Sequence, residues 1–193
     1  VGSEMCIRDR IKDVESDDAF IQALTAPDFC TKYSSPEKNY FYWKYENYLR
    51  RTEQPVATPM THEDLRQKEN KKLVMTIEHI VAQSNSGEKS KVITDALKID
   101  VGSVEVFDEK YLNSIGNLTL DPQSANSSKG KKDVDEKNSK YFAKAPYKCQ
   151  NELEEFMIDD VWTLESIKKR KAKLLTFAKE LWCNFDFVKV LRV

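Results

Sequence analysis

The chain of 193 residues contains only two histidines, so any chemistry that needs imidazole depends on His62 or His79. A neutral imidazole, whose pKa is ~6.5 in model peptides, can accept a proton at neutral pH. His62 stands at the start of a short charged segment, where we expect a solvated surface position. His79 directly follows Glu78 inside an apolar, β-branched run. Glu78 and His79 are therefore the first candidate site residues.

Two asparagines further along the chain belong to the same pattern. Asn117 lies in the sequence IGNLTL, and Asn126 follows in a polar segment nine residues later. Carboxylate and amide oxygens are the ligands that hard divalent cations prefer. Neighbouring side chains of a strand point to opposite faces, but twist at a strand end allows both Glu78 and His79 to approach one site. A strand, a loop, a second strand and a helix would then bring all four side chains into one cleft.

The local patterns predict the elements that would position these residues. Residues 73–81 are apolar and β-branched, which indicates a strand. Residues 115–120 predict a short second strand that is entered through a tight turn at Gly116 and Asn117. Asp121 and Pro122 end that strand and open a helix that carries residues 124–128.

Helical spacing predicts two longer helices outside this region. Residues 37–51 form an aromatic-rich pattern that favours packing in the core over base stacking, and residues 163–182 form a helix capped by Thr163. A capping box from Thr61 to Asp64 opens a short charged helix. The remaining predictions are a polar turn over 83–90, short helices over 93–99 and 108–112, and a final strand over 185–191.

Composition limits the classes of protein without selecting one. Thirty-one basic and 32 acidic side chains give a net charge of −1, which neither identifies nor excludes a nucleic-acid partner because basic and acidic segments alternate. No apolar stretch is long enough to predict a membrane span. Four scattered cysteines without metal-ligand spacing predict thiols in a reducing, cytoplasmic compartment. Residues 1–10 lack an apolar signal core, and we expect them to be a non-native leader.

The sequence EHIVAQS from Glu78, the sequence IGNLTL and Asn126 together resemble the ββα-metal core of HNH (His-Me finger) nucleases. The closest resemblance is to the C-terminal HNH domain of GmrSD-type, modification-dependent restriction endonucleases. It covers residues 74–137, and the helix containing Arg170 is also similar. The sequence departs from the family pattern in carrying Ala82 where proline is common, Asn126 as the third motif residue, and glutamate instead of aspartate at position 78.

The resemblance implies an α+β, mostly helical domain around a ββα-metal core, and a role for each residue. His79 would be the general base, and Asn117 would orient the histidine loop or ring. Glu78 and Asn126 would bind one Mg²⁺ or Mn²⁺ ion. Four lysines would contact DNA phosphates: Lys129, Lys131, Lys132 and Lys137. For residues 129–140, a solvated basic face that does not contact DNA is an equally good interpretation.

The resemblance also implies a function and a domain organisation. The function is a metal-dependent endonuclease that hydrolyses DNA as part of a bacterial restriction or antiviral defence system. Its partner would be an NTP-hydrolysing, ParB-like N-terminal domain in the full-length protein or in a partner subunit. A catalytically inactive DNA-binding or scaffolding domain and an RNase are the alternatives. We expect a helical part over 11–72, the HNH core over 73–140, and a C-terminal helical part over 141–193.

Overall fold

The computed structural model describes residues 16–52, 58–93 and 103–183, which form a mostly helical α+β fold. Strands β1 (Lys68–Glu69) and β2 (Lys72–Leu73) form one antiparallel pair, and β3 (Met75–His79) and β4 (Leu118–Pro122) form another. The helices are α1 (Asp17–Thr25), α2 (Phe29–Lys32), α3 (Ser35–Thr52), α4 (His62–Arg66), α5 (Ser86–Ile93), α6 (Val104–Phe107), α7 (Gln123–Lys129), α8 (Val134–Lys140), α9 (Lys148–Asn151) and α10 (Leu164–Trp182). None of these helices is long and apolar enough to cross a membrane.

The predicted succession of strand, strand and helix is present in β3, β4 and α7. In the β3–β4 register, His79 pairs with Leu118 and Glu78 with Thr119. Strand β4 begins later than predicted, because Ile115–Asn117 forms a turn of 3₁₀-helix instead of extended chain. This turn packs closely on α10: a Cβ atom at Gly116 would lie 2.3 Å from the backbone oxygen of Ile167. Glycine is needed here because backbone atoms leave no room for a side chain.

The prediction of a polar turn over 83–90 is wrong, because α5 (Ser86–Ile93) occupies part of that segment. Asn85 caps the helix: its Oδ1 accepts a hydrogen bond of 3.0 Å from the Glu88 amide. Lys89 anchors the helix through a 2.7 Å ion pair with Asp108. The predicted helix over 93–99 lies outside the described residues except for its first residue. The predicted strand over 185–191 lies wholly outside them. Residues 108–112 form a wide π-type turn that continues α6, instead of a separate helix capped by Asp108.

Aromatic helix α3 forms the centre of one hydrophobic cluster, as its spacing predicts. Phe41 and Tyr45 are fully buried, and the Tyr45 ring centroid lies 5.0 Å from that of Phe177 on α10. The predicted solvated position of His62 is wrong, since its ring packs edge-on against Trp43 with centroids 4.7 Å apart. Apolar burial therefore explains the aromatic side chains of α3.

Helix α10 joins this cluster to a second one. Thr163 caps the helix through a capping box with Ser166, which confirms the predicted start. Ile167 packs in the second cluster with residues that follow β3, whereas Leu174 and Phe177 pack in the first. Arg170 lies between these two groups along the helix and is fully buried. Helix α10 thus fixes the turn before β4 relative to both parts of the core.

Candidate active site

Glu78 and His79 occupy the last two positions of β3, so their Cβ atoms point to opposite faces of the strand pair. Thr76 lies on the same face as Glu78. On that face, the Asn126 Nδ2 atom donates hydrogen bonds to Thr76 Oγ1 at 3.0 Å and to the Ile77 carbonyl at 3.3 Å. The structure therefore brings Asn126 and Glu78 to one side of the strand, while the His79 side chain leaves from the other. It does not bring all four predicted side chains to one face, because His79 is still inside the regular strand.

The His79 ring is held by a residue outside the predicted set. Its Nε2 atom lies 3.2 Å from Asn113 Oδ1. An amide oxygen only accepts hydrogen bonds, so Nε2 carries the hydrogen and Nδ1 is the nitrogen that can take a proton. Burial lowers the pKa of His79 to about 4; the Asn113 contact opposes this shift, and the charge of Lys137 adds to it. The imidazole is therefore neutral at neutral pH.

Asn117 is fully buried and fastens the loop that follows His79. Its Oδ1 accepts from the Val81 amide at 3.0 Å, and its Nδ2 donates to the Val81 carbonyl at 3.2 Å and to the Leu112 carbonyl at 2.9 Å. Its backbone oxygen accepts from the Ile80 amide at 2.9 Å. These contacts are those of a residue that positions the histidine loop.

Lys137 does not lie on the surface, which corrects its predicted role as a phosphate contact. Its side chain is fully buried, and its Nζ atom lies 2.6 Å from Glu78 Oε1. The same ammonium donates to the carbonyls of His79 at 2.8 Å and Ile80 at 3.0 Å. Burial raises the pKa of Glu78, and the ammonium of Lys137 opposes that shift. As placed, Lys137 supports the end of β3 and does not reach a phosphate on the surface.

Lys129 is also buried, so the same correction applies to it. Its ammonium forms an ion pair with Asp121, and the side chains of both residues are fully buried. It also lies 4.7 Å from the centroid of the Phe142 ring. Lys132 is partly exposed and donates to Glu136 at 2.8 Å, while Lys131 is exposed. Only these last two of the four predicted lysines are placed where a DNA phosphate can reach them.

The oxygen donors on the Glu78 face are the carboxylates of Glu78 and Asp121 and the amide oxygen of Asn126, and Asp121 is already engaged by Lys129 and Gln150. Asn126 uses its nitrogen to bind β3, so its oxygen is the atom that a cation would take. Within the described ranges, no group of three histidine, cysteine, aspartate or glutamate side chains is arranged to hold a metal ion. A cation here would therefore depend on an amide and on ligands from outside the protein.

The family model of the GmrSD restriction endonucleases, C-terminal domain, matches residues 14–177. The chain belongs to this family. It is a restriction-endonuclease domain, and the substrate of such a nuclease is DNA. No curated protein and no solved structure shows a significant match to the chain.

Two residues of this GmrSD C-terminal domain were missed by sequence reasoning. Asn113 precedes the Gly-Asn turn in a segment whose pattern predicts only a short helix, so its contact with His79 had no local signal. Arg170 had a local sequence signal: it follows Ile167 by three residues and precedes Leu174 by four, which places it on the apolar side of α10. Its Nη1 atom donates to the carbonyls of Leu118 and Gly116, on either side of Asn117.

The low pKa of His79 predicts a loss of stability in acid. Because the folded pKa is about 4 and the unfolded value is ~6.5, protons bind preferentially to the unfolded chain. Stability is therefore complete above the unfolded pKa and falls as the pH approaches 4. Between pH 7.5 and pH 5, we expect His79 to cost the GmrSD domain about 2 kcal/mol of unfolding free energy.

Urea denaturation of the wild type and His79→Gln at both pH values measures this cost. Glutamine keeps a hydrogen-bond donor but does not titrate, and all other titrating groups remain in both proteins. The wild type should therefore lose about 2 kcal/mol more than the variant on acidification. Equal losses in the two proteins would contradict a buried neutral imidazole at position 79.

Proposed function

We propose that this domain is an HNH-type endonuclease that uses Mg²⁺ or Mn²⁺ to hydrolyse DNA phosphodiester bonds, within a bacterial system that restricts foreign DNA. One observation carries the proposal. At the end of β3, consecutive residues supply a neutral imidazole and a carboxylate on opposite faces of the strand, and the carboxylate shares its face with an amide side chain. These are the groups that phosphodiester hydrolysis requires: a base for water and oxygen ligands for a cation.

His79 acts as the general base in this proposal. Its Nδ1 atom removes a proton from the water that attacks phosphorus, and Asn113 holds the ring through Nε2. The ring is neutral before the reaction and can accept this proton, while the burial that lowers its pKa to about 4 also makes it a weaker base. Asn117 keeps the ring in place by fixing the backbone of residues 80 and 81. The chain therefore supplies the base, its orientation and the loop that carries it.

Glu78 and Asn126 would hold the divalent ion. Both present hard oxygen donors from one face of β3, and the ion pair with Lys137 engages only one of the two carboxylate oxygens of Glu78. When bound, the cation supplies positive charge that stabilises the phosphate and the departing oxygen. Two protein ligands fit a single ion whose remaining positions are filled by water and the DNA phosphate.

In this proposal, other parts of the restriction system recognise the DNA target. Lys131 and Lys132 are the candidate phosphate contacts that remain after the burial of Lys129 and Lys137. An NTP-hydrolysing, ParB-like N-terminal domain, in the full-length protein or in a partner subunit, would control access to DNA in the cytoplasm. This partner is part of the proposal.

Cleavage of supercoiled plasmid tests the function. The domain should nick the plasmid with Mg²⁺ or Mn²⁺, and nicking should stop when EDTA is added. The Glu78→Gln variant should nick at least about a hundredfold more slowly, because an amide is a weaker ligand for the cation than a carboxylate. Glu109→Gln, at an exposed position, is the matched control. DNA binding without cleavage in either metal would favour the non-catalytic alternative. Preferential cleavage of a labelled RNA of the same sequence would identify an RNase.

A further inference from the structure

Lys137 places a fixed positive charge beside the candidate cation site. Helix α8 is capped by Asp133, and its buried Val134 and Lys137 face the interior. The Lys137 ammonium is surrounded by three oxygens: Glu78 Oε1, the His79 carbonyl and the Ile80 carbonyl. The ammonium donates hydrogen bonds to the two carbonyls and forms an ion pair with the carboxylate. The charge therefore cannot swing away from Glu78 without leaving buried carbonyls without a donor.

The charges around the site cancel when DNA is absent. Glu78 contributes one negative charge, and Lys137 contributes one positive charge at 2.6 Å. The amide of Asn126 contributes none. The nearby ion pair of Lys129 and Asp121 is neutral as a whole. Affinity of oxygen ligands for divalent cations rises with the number of ligand charges, so a neutral site holds such a cation weakly.

We propose that Lys137 suppresses cation binding to the free domain and thereby makes it dependent on DNA. This inference rests on the proposed nuclease function. A DNA phosphate supplies the negative charge that the protein site lacks, so the cation and DNA bind cooperatively. By linkage, the cation strengthens DNA binding by the same factor. Lys137 is a positioning and charge-balancing residue in this scheme and does not touch the reacting atoms.

Titration with Mn²⁺, followed by the electron paramagnetic resonance signal of the free ion, tests the dependence. His79→Ala protein is used so that a bound DNA duplex stays intact while the oxygen ligands remain. We expect Mn²⁺ to bind at least about tenfold more tightly with the duplex than without it. This comparison needs no change at position 137. Equal affinity with and without DNA would overturn the inference.

Substitution of the lysine tests the cause. In the same background, Lys137→Met should raise the affinity of the DNA-free domain for Mn²⁺ about tenfold, because the opposing charge is gone. Lys137→Arg keeps the charge and should bind as weakly as the parent, and Lys131→Met controls for the loss of an exposed lysine. Circular dichroism shows whether each variant is folded. If Lys137→Met is not folded, the Mn²⁺ affinity of the His79→Ala protein with and without the duplex decides whether cation binding depends on DNA.

The outcomes separate this inference from the proposed function. A domain that cleaves DNA with Mg²⁺ but binds Mn²⁺ equally well without DNA retains the function and loses the inference. An unchanged affinity in folded Lys137→Met also overturns the role of the lysine. A domain that binds no Mn²⁺ even with DNA, and cleaves nothing, overturns both.

Discussion

His79→Ala should reduce the rate of plasmid nicking by about three orders of magnitude. A positioned general base contributes about 10²- to 10⁴-fold, and His79 is the residue placed to supply it. The neutral ring and the available Nδ1 follow from burial and from the contact with Asn113. Single-turnover rates at saturating Mg²⁺ measure the effect on the chemical step separately from binding.

The other histidine provides the matched control. His62 packs on Trp43 in α3, and His62→Ala should nick at a rate within about twofold of the wild type. The nicking rate of Asn113→Ala should lie between those of His79→Ala and His62→Ala, because the base remains but loses its hydrogen-bond partner. A folded His79→Ala protein that nicks as fast as the wild type would remove His79 from the mechanism.

Arg170→Met should lower the free energy of unfolding by about 3–5 kcal/mol, the usual cost of breaking a buried charge network by removing one partner. Arg170 Nη1 donates to the carbonyls of Leu118 and Gly116, and its Nε lies 3.5 Å from Glu152 Oε1. Glu152 is also buried and accepts a 2.8 Å hydrogen bond from the Tyr45 hydroxyl. Methionine fills much of the space but leaves the carbonyls and the carboxylate with less compensation.

Lys169→Met is the control for this experiment. It removes a positive charge from the neighbouring position of α10, where the side chain is exposed, and should change stability by less than about 0.5 kcal/mol. Urea denaturation followed by circular dichroism compares both variants with the wild type. Similar small losses in the two variants would show that the buried network contributes little.

The elements that carry the candidate site residues were predictable from the sequence because strand and helix signals are local. The apolar run around His79, the turn at Gly116 and the helix that carries Asn126 each follow from residues close in the chain. Helix α10 was predicted for the same reason, from its cap at Thr163 and its apolar spacing. The two strands pair in an antiparallel manner.

The interior of the site was not predictable, because it depends on contacts between distant residues. Lys129 and Lys137 look like solvated charges in the sequence, and only the positions of Asp121 and Glu78 in the fold show that both are paired and buried. The role of Asn113 depends on a contact with His79 across 34 residues of chain. Helix α5 was missed since its serine and glycine residues, and Asn85 just before it, are typical of turns.

The pairing of β3 with β4 has a consequence for variation in this domain. Residues 80–117 separate the paired positions His79 and Leu118, so the strand pair closes a long loop of chain. The entropy of closing a flexible loop grows only logarithmically, and doubling its length costs about 0.6 kcal/mol. Insertions at the exposed turn of Gln83 and Ser84 should therefore cost little while β3, β4, α7 and the hydrogen bond from buried Lys89 to the Gln83 carbonyl are kept. Surface segments of this domain can thus vary in length while the paired strands and the helix after them stay the same.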